Sequence, residues 1–274
     1  MSESTLALRK VDIEARLGTY AGWGRGEYFG DEPWTDEQKA SIKNCVDSGC
    51  RRVYYPAPLE GEPNSHSWSF FRPVTLIALP SGSQSVILPD DYGSFEGNIT
   101  ILTSANGVTA QPWKIQWENE GRIREMYTVT STISGPPMYV CPIPVKDKMP
   151  TATQGQRFEL LVFPTADQDY TLQATYNINP GCLTDAFPYT LGGPQHSETF
   201  LESALAYMEL FLDDRKGIHC LEFDKRLAAS IDIDRRARPQ RIGYNGDRSD
   251  DRDYQRPNMH WYAPAATYNG QSLG

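Results

Sequence analysis

Between residues 66 and 192 the chain is cut into short runs, most of them β-branched or aromatic and bounded by Gly, Pro, Asn or Asp. This punctuation narrows the available folds more than any other feature. The runs are Trp68–Arg72, Val74–Leu79, Ser85–Leu88, Ile99–Leu102, Lys114–Trp117, Met126–Thr130, Phe158–Phe163 and Tyr170–Tyr176. Short strands at this spacing predict an antiparallel sandwich or barrel. No helix of useful length is expected among them, which disfavours a βαβ arrangement.

The flanks follow a different period. Leu6, Leu8, Val11, Ile13 and Leu17 form an amphipathic stretch that the glycines at 22, 24, 26 and 30 interrupt. Thr35 with Gln38 three residues on is a capping box. Ile42, Cys45 and Val46 then share a helical face, with Gly49 the expected stop. After the β zone, Ser197 is the expected N-cap of a helix carrying Phe200, Leu201, Ala204, Leu205, Met208, Phe211 and Leu212. Gly217 separates it from a second helix with Leu221, Phe223, Leu227 and Ile231. The expected fold is therefore α+β. A helical module is made from both terminal segments (1–58 and 193–240), an antiparallel β-sandwich or barrel is inserted at 59–192, and an extended tail runs over 241–274. That tail is polar, with too few aliphatic residues to build its own core.

Charge and cysteine usage exclude some roles. At −9 the chain is a poor candidate for gripping nucleic acid, since duplex binding depends on Lys and Arg displacing counterions. An acidic surface can instead line a conduit past which DNA slides. Five scattered cysteines with no CxxC pair predict reduced thiols. No apolar stretch approaches the length of a membrane span, and the segment Met1–Lys10 lacks the apolar region of an export signal.

The inventory for catalysis is thin. His66, His196, His219 and His260 show no zinc-ligand spacing. Cys220 beside His219 cannot easily pair as nucleophile and base, because neighbours on a helix diverge by about 100°. Gly22-Trp23-Gly24-Arg25-Gly26 lacks the ending of a phosphate loop. Asp90-Asp91 reads as a strand-ending turn. The Asp232/Asp234 pair reads as solvated helix charge, and Asn245–Asp251 as a solvated loop without EF-hand spacing. No catalytic residue, cofactor or metal ligand is expected. Arg235, Arg236, Arg238 and Arg241 form a basic stretch suited to a subunit or DNA-channel contact.

Three blocks, in order, carry a resemblance. The first is Trp34…Gln38…Ile42…Val46…Gly49…Arg51-Arg52-Val53-Tyr54-Tyr55-Pro56, followed by Trp68-Ser69-Phe70-Phe71-Arg72-Pro73. The second is Leu88-Pro89-Asp90-Asp91-Tyr92-Gly93…Glu96-Gly97. The third combines Ser197-Glu198…Leu201-Glu202…Ala204-Leu205-Ala206…Glu209 with Phe223…Leu227…Ile231…Asp234 and Gly243–Asp247. Together they resemble the head-to-tail connector (adaptor, or neck) proteins of tailed bacteriophages. The resemblance implies a non-enzymatic virion protein, assembled in the host cytoplasm. It implies a homo-oligomeric ring of about twelve copies that docks on the portal protein, extends the DNA channel and meets tail or collar proteins, with no membrane. Such a ring would carry roughly −100 formal charges, discouraging DNA from sticking during ejection. The tail, with Tyr254, Trp261, Tyr262 and Tyr268, would contact the portal. The inserted β region departs from the small, mostly helical members of that group. A different expectation, a carbohydrate-binding or receptor-binding tail component, rests on Trp113, Trp117 and Trp261, which could stack on sugar rings.

Overall fold

The computed structural model describes residues 4–59, 62–104, 115–130, 133–145 and 155–237, with the backbone of 267–268 and 271–272. The described residues form a mixed α and β fold with several small antiparallel sheets and no closed barrel.

Helix α1 (Lys10–Tyr20) is followed by turns in which Gly22, Gly24, Gly26 and Gly30 all take positive φ. Helix α2 (Asp36–Tyr54) starts on the expected box: the Thr35 hydroxyl accepts from the Gln38 N–H, and Gln38 accepts from the Thr35 N–H. It does not stop at Gly49. The glycine lies inside the helix because α4 crosses there, and a Cβ at 49 would stand 2.8 Å from the Ala204 Cα. Close helix approach, not chain termination, requires it.

The strands are β1 (Val74–Leu79), β2 (Ser85–Ile87), β3 (Tyr92–Ser104), β4 (Gln116–Trp117), β5 (Ser134–Gly135), β6 (Tyr139–Pro144), β7 (Phe158–Phe163), β8 (Thr165–Ala166) and β9 (Tyr170–Ile178). One sheet has the order β1-β9-β3, all antiparallel, and a second has the order β2-β7-β6-β4. Strand β9 buries every second residue, from Tyr170 through Leu172 and Ala174 to Tyr176. These join Ile77, Leu79, Ile99 and Ile101 of their own sheet and Val140, Leu160 and Val162 of the other in one apolar cluster. Both sheets therefore bury their inner faces in a shared core.

Two strand expectations fail for identifiable reasons, and one strand was not foreseen. Residues 126–130 are not a strand but the end of helix α3 (Glu120–Val129), which Asn119 caps by accepting from the Gly121 N–H at 2.8 Å. Ile123 anchors that helix with no exposure, and the Tyr127 hydroxyl donates to the Val162 carbonyl of β7. Residues 69–71 form a 3-10 turn that sends Trp68 and Phe71 into the helical core instead of a sheet. The prolines at 142 and 144 disguised β6. They are tolerated because, among the described residues, β4 covers only Tyr139 and Val140 of that edge, so neither proline nitrogen has to donate to it.

Helices α4 (Pro194–Asp213) and α5 (Ile218–Ala237) complete the fold. Helix α4 begins at Pro194, a residue suited to a first turn. Ser197 lies inside, its hydroxyl turned back to the Pro194 carbonyl at 2.7 Å. A large apolar cluster takes Ile13 and Leu17 from α1, Ile42 to Tyr54 from α2, and Phe200 to Met208 and Phe223 to Ile231 from α4 and α5. Trp68, Phe71 and Leu183 from the intervening sequence belong to the same cluster. A short hairpin, β10 (Thr267–Tyr268) with β11 (Gln271–Ser272), is antiparallel.

Candidate functional site

The segment between α2 and β1 is tied to the last turns of α5 by buried polar contacts. Asp234 follows Phe223, Leu227 and Ile231 on the inward face of α5 and is 2% exposed. Its carboxylate accepts from His66 Nε2 at 2.8 Å and from the Ser69 hydroxyl at 2.5 Å. The Ser69 backbone N–H adds bonds of 3.1 and 3.2 Å. The His66 ring stands edge-on to Trp68, whose indole N–H donates to the Val53 carbonyl at 2.8 Å. One turn of helix is thus fastened to the strap that leads into the β region.

Serine, histidine and aspartate side chains meet here in an order unlike that of a hydrolase. The Ser69 hydroxyl donates to the carboxylate itself, whereas a hydrolase serine donates to the imidazole. A carboxylate receiving these donors ties the segment before β1 to the end of α5. His196 also stands edge-on to Trp68 and is buried, and burial holds its imidazole below the usual histidine range against the opposing pull of Asp234.

A second buried carboxylate works in the same manner. Glu209 of α4 accepts from the Gly217 and Cys220 N–H groups at 3.1 and 3.2 Å, covering the start of α5 where the helix dipole favours an anion. Alongside, the imidazole of His219 meets Glu202 at 2.9 Å.

The expected contact residues are partly accounted for. Arg235 is engaged within the chain by Glu62 at 2.6 Å, and Arg236 stays exposed with its Nε on the Asp232 carbonyl at 3.3 Å. Arg238, Arg241, Tyr254, Trp261 and Tyr262 lie outside the described residues, as do Trp113 and Asn245–Asp251, and of Tyr268 only the backbone is described. Trp117 is exposed, beside Phe95, its N–H on the Gly97 carbonyl at 3.1 Å. Asp90 and Asp91 form the expected turn, with Arg157 on the first and the Tyr176 hydroxyl donating to the second. The expectation of solvated charge at both Asp232 and Asp234 is corrected: only Asp232 is exposed. Among the described residues no group of three His, Cys, Asp or Glu side chains is placed to hold a metal ion, and no helix is long and apolar enough to cross a membrane.

Two exposed apolar patches lie at opposite ends of α4. At its C-terminal end Phe211 and Leu212 are exposed, as are Ile218 (73% exposed) and Leu221, three residues apart on one face of the first turn of α5. At its N-terminal end Phe187 (77% exposed), Tyr189 and Leu191 precede the helix. There, Tyr189 bridges to Arg9 and the Lys10 N–H bonds the Pro188 carbonyl, bringing Leu6 and Tyr28 to the same surface. Twenty helical residues separate the two patches by about 30 Å. Compared with known proteins, the chain matches no family model and no curated protein.

Proposed function

We propose that this chain is a structural, non-enzymatic protein of a tailed-phage particle. In this reading it forms a ring at the head–tail junction, docked on the portal protein and extending the DNA channel. The observation that carries the proposal is the pair of distinct apolar patches at the two ends of α4. Two different patches on one molecule, each meeting the other on a neighbouring copy, give head-to-tail contacts, which close into rings when the rotation between copies allows. Large apolar side chains left exposed close together in an element mark an interaction site. The buried His, Asp, Ser and Glu side chains support the same reading, since each is committed to holding helices and connecting segments together. In the finer architecture proposed, the two flanks form the ring body and the β region is a sandwich projecting from it.

Size-exclusion chromatography with light scattering and negative-stain microscopy, on the protein alone and with the portal protein encoded in the same genome, tests this. Wild type is expected to form rings, alone or on the portal. Leu221→Asp with Ile218→Asp is expected to stay monomeric with an unchanged melting temperature, because both side chains are solvent-exposed. Persistent monomers with no affinity for the portal would refute the assignment.

A further inference from the structure

A cleft of about 480 Å³ lies between the C-terminal end of α2 and the loop that follows β9. Arg51, Arg52 and Tyr55 line it from the helix end, and Pro180, Gly181 and Cys182 from the loop. Small-molecule sites occupy roughly 300–1,000 Å³, so the volume suits a small ligand. Space beside Gly181 is open, since a Cβ there would meet nothing within 4 Å.

The charge of the cleft is one-sided. Most of the described arginines stand against a carboxylate, from Arg9 on Asp12 to Arg235 on Glu62. Among the described residues Arg51 and Arg52 make no ion pair. Asp47, the acid one turn earlier on α2, is taken by Lys43 at 2.6 Å. Arg51 is exposed, whereas Arg52 is half-buried with its guanidinium carbon 4.6 Å from the centre of the Phe223 ring of α5, which fixes it in place. The Nη1 of Arg52 is buried and meets no hydrogen-bond acceptor. A buried N–H without an acceptor is rare in a folded protein and calls for an oxygen from elsewhere. Two arginines in a last turn also suit the helix dipole, but that accounts for neither the cleft nor the orphaned N–H. Tyr55 is 58% exposed, and its hydroxyl donates to Asn179 Oδ1 at 3.3 Å, which holds the ring as a fixed apolar surface.

We propose that this cleft binds a small organic oxyanion, a carboxylate or phosphate carried on an aromatic or apolar body. The guanidinium groups take the oxygens, whose geometry their planar forks match, and the Tyr55 ring packs on the body. On a chain of net charge −9, a local excess of positive charge draws such a ligand in. The proposal does not depend on the assembly reading, since it needs only one copy.

Titration calorimetry on the full chain at low salt, with phenyl phosphate, benzoate and uncharged phenol, tests it. Phenyl phosphate or benzoate should bind, which also names the anion, and phenol should not. Arg51→Gln should weaken binding at least about tenfold with an unchanged melting temperature, because the side chain is exposed. Cys182 is an exposed thiol on the cleft wall, so bound anion should slow its alkylation by iodoacetamide in proportion to occupancy. No binding of either anion up to about 10 mM overturns the proposal. Equal binding of phenol overturns it, as does binding that Arg51→Gln and Arg52→Gln both leave unchanged or that gives Cys182 no protection. Protection of Cys182 only at concentrations where copies associate also overturns it, and would assign the arginines to a neighbour's carboxylates.

Discussion

Asp234 and Gly49 show how single side chains decide this fold. Removing one member of a buried, hydrogen-bonded pair leaves the other unsatisfied, at a cost of about 1–3 kcal/mol. Asp234→Ala and His66→Ala should each lower urea-unfolding free energy on that scale, and the double variant should lose clearly less than the sum, as shared partners do. At Gly49 the added methyl of Gly49→Ala must push α4 away, costing about 1–3 kcal/mol; a midpoint equal to wild type would show that the helices separate freely. The sequence held a signal for Asp234 that residue type obscured. Its spacing, three residues beyond Ile231 and seven beyond Leu227, continues the apolar stripe, so periodicity marks a buried position where composition suggests a solvated one. Glu209 is a parallel case, three residues beyond the buried Ala206.

At the level of elements, legibility followed the agreement between local preference and tertiary context. The Thr35 box, the β1, β7 and β9 runs and the α4 stripe all appear where pattern and burial coincide. Helix α3 was hidden because Tyr127, Thr128, Val129 and Thr130 favour strands, while the contacts that make it helical, Ile123 in a small core and Tyr127 on β7, are distant in sequence. His66 and Ser69 could not be paired with Asp234 from the sequence, since the partners are separated by some 165 residues and share no motif.

Across the whole molecule, five free cysteines and several buried tyrosines set the alkaline behaviour. Burial pushes the Cys45 thiol up to about 11, Cys50 to about 12, and the Tyr92 and Tyr176 hydroxyls to about 12. An unfolded chain ionises these groups at lower pH than the folded one, so stability is full below about pH 8.5 and declines as pH rises beyond it. Urea midpoints at pH 7.5, 9 and 10 should fall in that order. Under native conditions iodoacetamide should modify the exposed Cys182 well before Cys45, Cys50 or Cys220, read by peptide mass spectrometry.

The helical core draws its residues from both flanks of the β region, and this sets an order on synthesis. Helices α1 and α2 leave the ribosome with Ile13, Leu17, Ile42 and Val53 uncovered, and Pro194 of α4 follows Tyr54 by about 140 residues. At roughly 5–20 residues per second the wait is on the order of 7–30 s. During that interval the nascent chain presents a greasy half-module for which a chaperone is the natural temporary lid, so yield in a host should depend on chaperone supply more steeply than the melting temperature of the finished protein suggests.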